Sequence, residues 1–193
     1  MSEAYYESTN ILLMECVNDN SDKKADSLIF PILFSLNHYI ELRLKSIIAY
    51  FYLLESDNDY ISNINKNPFS THNICELMSD VVKLLNHTSL NGIEKDKKRF
   101  KQTNSYIRQL NEYKIFNVSP HMDFSRYPMN KYEKTYFYAE TFENVTISLT
   151  NLKESISLAS EELNGLYYQL EHIHDLKKES DAFEQEMMHQ YYE

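Results

Sequence analysis

Apolar residues recur along this chain with helical spacing, and the clearest run lies near its C-terminal end. Phe142, Val145, Leu149, Leu152, Ile156, Ala159, Leu163, Leu166, Leu170 and Ile173 alternate three- and four-residue steps. That period puts one apolar stripe on a helix of roughly 50 Å, at about 1.5 Å per residue. Gly165 inside it costs about 1 kcal/mol relative to alanine, an amount that packing on the seam is expected to absorb. After Leu176 the pattern lapses, so 177–193 reads as a frayed, acidic tail. The stripe suits either packing along a helical bundle or a share in a homodimer interface.

A second helical run, 25–54, is apolar on nearly every side, as FPILFSLNHYIELRLKSIIAYFYLLE at 30–55 shows. Pro31 lies in its first turns, so the helix is expected to begin there or to kink. Before it, 3–17 carries a loose apolar side from Tyr6, Leu13 and Cys16, and NDNSDKK at 18–24 breaks the chain, with Ser21 or Asp22 available as an N-cap. A polar, Asn-rich stretch follows from Glu55. Ile74, Leu77, Met78, Val81 and Leu85 then predict a helix from Thr71 to about residue 86. Asn91-Gly92 marks a loop, and 94–116 reads as a further helix with Phe100, Ile107 and Leu110 inward. Pro120 and Pro128 make 117–138 the least helical part, an irregular loop or a short hairpin. The expectation is an all-α bundle of about five helices, one domain over 1–176 followed by the acidic tail.

Composition agrees with that class. Only 2 glycines and 4 prolines serve 193 residues, too few for many tight hairpins. A formal net charge of −10 repels nucleic acid at long range and argues against a general DNA binder, though a local basic patch could overcome it. Cys16 and Cys75 sit in helical apolar patterns without metal-ligand spacing, as expected of reduced core residues in a cytoplasmic protein. The polar opening MSEAYYEST does not read as a secretory leader. Residues 28–54 are long enough to span a bilayer, but His38, Glu41, Arg43 and Lys45 at their centre argue against a membrane segment.

Three groups of residues carry candidate chemistry. His38, Glu41 and Lys45 are spaced i, i+3, i+7, so they form one polar stripe inside a helix that is otherwise buried. Buried charge is costly unless paired, so the stripe implies a charge network or a reactive site. The run EKDKKRFK at 94–101 offers Lys95, Lys97, Lys98, Arg99 and Lys101 to a phosphate backbone, or else forms a solvated helix face. Glu171, His174 and Asp175 stand at metal-ligand spacing on one helix, but nothing else in the sequence completes a site, so no metal is expected. The chain has no Gly-rich phosphate loop and no H-E-x-x-H, which points away from dinucleotide cofactors and zinc protease chemistry.

The order of three motifs adds to this. HYIELRLK at 38–45 is followed by THNICEL at 71–77 and FSRYP at 124–128, ahead of the long amphipathic helix. The arrangement resembles the HEPN superfamily, in particular its bacterial and phage branch. That resemblance implies a small helical bundle, commonly a homodimer, in conflict and defence systems such as toxin–antitoxin pairs. Many members are metal-independent ribonucleases that use an Arg-x(4–6)-His motif. In that chemistry histidine moves the 2′-hydroxyl proton while arginine stabilises charge on the phosphorane.

This chain departs from the motif, because none of Arg43, Arg99, Arg108 and Arg126 has a histidine five to seven positions later. If it cleaves RNA, the expected residues are Arg126 for charge stabilisation and His72 or His38 for proton transfer, with Glu41 and Lys45 in support. The alternative is a non-catalytic interaction module on the same fold, an inhibitor or immunity-type protein whose acidic surface binds a basic partner.

Overall fold

The computed structural model describes residues 1–58, 61, 69–112 and 147–192, apart from the side chains of 97, 109–112 and 190–192. Among the described residues every regular element is a helix, with no strand. Its elements are α1 (Ser2–Asn18), α2 (Lys24–Leu54), α3 (Ile74–His87), a 3-10 turn (Lys97–Phe100), α4 (Lys101–Glu112) and α5 (Leu149–Tyr192). The expected loop or hairpin at 117–138 lies outside the described residues, as do Phe142 and Val145.

α2 is the hub. Ile32, Leu36, Ile40, Leu44, Ile47 and Phe51 are all buried along it, and α1, α3 and α5 pack around it. α1 runs antiparallel to α2, bringing Tyr5 to His38 and Glu3 to Arg43. α5 runs parallel to α2, so Tyr39 hydrogen-bonds with Ser160 (2.9 Å) and donates to Asn164 Oδ1 (3.1 Å). Two residues before Tyr39, buried Asn37 accepts from the Tyr106 hydroxyl of α4 (3.1 Å) and donates to the Leu33 carbonyl (2.7 Å). Burial pushes the Tyr39 phenol up to about 12, against the pull of its two hydrogen bonds. That hydroxyl acts here as an anchor between helices.

α2 starts at Lys24, within one residue of the expected run, and not at Pro31. The helix begins seven residues before Pro31, which stands in its interior and is exposed. Its first amides are capped by side chains of the preceding turn, Asp22 accepting from Lys24 N (3.1 Å) and Asn20 from Ala25 N (2.8 Å). To present those oxygens the backbone passes through a left-handed residue, Lys23 (φ 60°). Pro31 has no N–H for the Ser27 carbonyl one turn earlier. Pro31→Ala is therefore expected to raise the unfolding free energy by about 2 kcal/mol. That is the ~3 kcal/mol cost of an interior proline less the ~1 kcal/mol by which proline stiffens the unfolded chain. A urea midpoint that does not move, at unchanged slope, would show that the helix already accommodates the ring.

The last helix also differs at both ends. Ser148 begins it, its carbonyl accepting from Leu152 N (2.9 Å) and its hydroxyl from Asn151 N (3.3 Å). It does not fray at Leu176 but continues to Tyr192, with every described side chain from Asp175 onward exposed. Between these ends, Ile156, Ala159, Leu163, Leu166 and Leu170 are buried in the protein's own core. The seam thus serves the bundle over that length. Gly165 lies off the seam and is exposed, so core packing does not absorb its cost; the nearest atom to a Cβ there would be Arg99 Nη2, at 3.9 Å.

α4 starts later than 94–116 implies, after the 3-10 turn. Its opening amides are satisfied from another helix. Glu162 of α5 accepts from Gln102 N (2.8 Å), Thr103 N (2.8 Å) and the Thr103 hydroxyl (2.9 Å). A carboxylate at a helix N-terminus also meets the positive end of the helix dipole.

Candidate functional site

The polar stripe of α2 assembles around one carboxylate. Glu41 Oε1 accepts from Lys45 Nζ (2.8 Å), one turn on, and lies 2.9 Å from His72 Nδ1. Its other oxygen, Oε2, lies 3.6 Å from His38 Nδ1, within ionic reach but beyond a good hydrogen bond. Lys45 has a second acceptor in the Phe69 carbonyl (3.3 Å). The Glu41 and Lys45 side chains are 9% and 11% exposed, whereas His72 is 62% exposed. The site therefore has a buried ionic floor and a solvent-facing imidazole.

The start of α3 delivers that imidazole. Asn73, not Thr71, is the N-cap, its Oδ1 accepting from Cys75 N (3.0 Å) and Glu76 N (3.3 Å). Thr71 supports it by accepting from Asn73 N (3.1 Å) and donating to Glu76 (3.0 Å). His72 is held between these two capping residues. On α2, His38 is stacked on Phe34 and met edge-on by Tyr5 of α1, with centroids 5.8 and 4.4 Å away. It is partly exposed, so two imidazoles flank one carboxylate.

Electrostatics match the geometry. Burial alone would raise the Glu41 pKa, but hydrogen bonds and charge from Lys45 and His72 outweigh it and hold the group below the usual carboxylate range. Glu41 is thus ionised at neutral pH, and its charge orients both partners.

The expected site residues divide clearly. His38, Glu41, Lys45 and His72 come together as one cluster. Arg126 lies outside the described residues. The basic run does not form one free cationic face. Lys95 donates to the Thr88 carbonyl, and Arg99 bridges the Glu94 carbonyl (3.0 Å) and Gln169 of α5 (3.0 Å), with burial lowering its pKa. Lys98 and Lys101 are exposed, and the side chain of Lys97 lies outside the described residues.

Elsewhere, Glu171 accepts from the hydroxyls of Tyr167 (2.9 Å) and Tyr50 (3.3 Å), and His174 packs on the Tyr50 ring. Among the described residues no three His, Cys, Asp or Glu side chains are grouped to hold a metal ion. Cys16 is buried and Cys75 half-buried, with no disulfide between them. No described helix is long and apolar enough to cross a membrane.

Two charged residues of the interior were not among the expected site residues. Arg43, 3% exposed, lies over the Tyr167 ring (4.1 Å) and contacts the Glu3 carboxylate through Nη2. Its Nε has no acceptor among the described residues. Glu55 closes α2 and clamps the end of α3, accepting from Ser89 N (2.6 Å) and from the Ser89 and Thr88 hydroxyls (both 2.5 Å). Burial opposes the charge on Glu55, yet these donors keep its pKa below the ordinary value. The signal for Arg43 was present, a charge in an apolar helix one turn after Tyr39, but its partners come from the two ends of the chain. Comparison with protein-family models, with curated proteins and with solved structures finds no match to this chain.

Proposed function

We propose that the protein acts on RNA through the His72–Glu41–His38 cluster, as a metal-independent acid–base site on a HEPN-like bundle. The observation that carries the reading is the solvent-facing His72, fixed through Nδ1 by a buried carboxylate whose charge Lys45 balances. A carboxylate on one imidazole nitrogen sets the tautomer and leaves the other nitrogen for proton transfer. Cleavage by the RNA's own 2′-hydroxyl needs one group to take that proton and one to protonate the departing 5′-oxygen. Two imidazoles on one carboxylate supply both roles. The products are a 2′,3′-cyclic phosphate and a 5′-hydroxyl, with no metal consumed or required. The resemblance of HYIELRLK, THNICEL and FSRYP supplies the substrate class, and Arg126 of the last motif is the proposed stabiliser of the phosphorane charge.

The test is cleavage of mixed cellular RNA by purified protein in excess EDTA. Wild type is expected to generate cyclic-phosphate ends, and His72→Ala to lower the rate roughly a hundredfold with an unchanged melting temperature. Arg126→Ala, run alongside, reports on charge stabilisation. RNA left intact by wild type would remove the enzymatic reading.

A further inference from the structure

The stripe of α5 continues beyond the core that uses it. Buried as far as Leu170 and partly covered at Ile173, it emerges into solvent at Leu176, Phe183 and Met187, of which Phe183 is 64% exposed. At roughly 100° per residue these three side chains fall within about 40° of one another around the axis. Glu179 and Glu186 border that face on one side and Glu184 on the other. From 179 to 188 the chain holds four carboxylates, those of Glu179, Asp181, Glu184 and Glu186, and neither lysine nor arginine. Lys177 and Lys178 precede this stretch. The feature is thus an apolar strip with acidic edges on a helix that has left its own bundle.

We propose that residues 176–188 dock a basic amphipathic helix of a partner protein. The partner's apolar face would cover Leu176, Phe183 and Met187, and its lysines or arginines would lie beside Glu179, Glu184 and Glu186. This pairing follows the logic by which edge charges choose coiled-coil partners. The same charges select against other occupants. In a parallel pair of two copies, Glu179 of one would face Glu184 of the other, a like-charge contact. RNA and anionic lipid meet four carboxylates. The inference gives the interaction-module reading of the sequence a surface, and it stands independently of the acid–base cluster.

Two synthetic helices test it against the full-length protein by fluorescence anisotropy. Both carry the same leucine and isoleucine stripe, one edged with lysine and arginine, the other with glutamate. The basic helix is expected to bind and the acidic one not. Phe183→Ser should weaken binding about tenfold without moving the melting temperature, because the ring is exposed. Glu179→Lys combined with Glu184→Lys should transfer the preference to the acidic helix. Equal binding of both helices, no binding of either, or affinity indifferent to Phe183→Ser would overturn the proposal. So would a dimer in light scattering that Phe183→Ser dissolves, which would make a second copy the occupant.

Discussion

Replacing Glu41 with leucine is expected to destabilise the protein by about 3–5 kcal/mol, the usual cost of leaving one member of a buried ion pair without its partner. Lys45 is 11% exposed, and among the described residues its other acceptor is the Phe69 carbonyl at 3.3 Å, so no described group replaces the carboxylate once it is gone. Lys45→Met should cost less, because Glu41 keeps His72 Nδ1 at 2.9 Å when the ammonium goes. The double variant Glu41→Leu with Lys45→Met should recover most of the loss, since apolar groups of similar volume leave no charge in the interior. Urea denaturation of the four proteins closes the cycle. Additive losses in the double variant would mean that the two side chains do not act as a pair.

Acidity gives the same interaction a second reading. Glu41 and Glu55 both have folded pKa values below the ordinary 4.5. Each therefore contributes stability that is complete above that unfolded value and is lost as pH falls through the lower, folded one. Wild type should lose stability on acidification below about pH 4.5, and Glu41→Leu should lose less.

Arg43 is the second place where a substitution has a large effect, with a sign that depends on what replaces it. Arg43→Ala empties the space between Tyr39, Tyr167 and Tyr168, and a loss of about 3 kcal/mol is expected, as for other long buried side chains cut to alanine. Arg43→Met keeps the volume and removes a charge whose Nε has no acceptor among the described residues. Its stability should lie within about 1 kcal/mol of wild type, the lost contact with the Tyr167 ring offsetting the relief of desolvation. Glu3, half-exposed, forfeits little when its partner goes. Thermal melts of the two variants decide it. If methionine were as damaging as alanine, the guanidinium and not its bulk would hold α1 and α5 together.

How much of this was legible in the sequence depends on what each signal measures. Apolar periodicity reports burial, so it located the helices that pack: α2, α3 and the seam of α5 from Ile156 to Leu170. It is silent where a helix has no buried face. Hence 177–192 looked frayed although it holds no glycine or proline and is rich in Glu, Lys, Gln and Met, which favour helix without help. The site was legible because a charge stripe in an apolar helix demands compensation, and the i, i+4 step from Glu41 to Lys45 supplies part of it locally. The arrival of His72 was only half-readable. The motif at 71–77 marked a helix start, but which residue capped it depended on competition between Thr71 and Asn73. Glu162 gave no warning, because on its own helix it is one more exposed-face glutamate and its meaning comes entirely from the amides of α4.

That last contact bears on the order of events while the chain is being made. α4 is complete in sequence long before Glu162 is translated, yet the acceptor for its first amides belongs to the final helix. Until residue 162 has cleared the ribosome, the opening turn of α4 lacks that carboxylate. By then α1 and α3, which both pack on α2, have been translated, so arrival of the C-terminal helix is expected to lock the second half of the bundle.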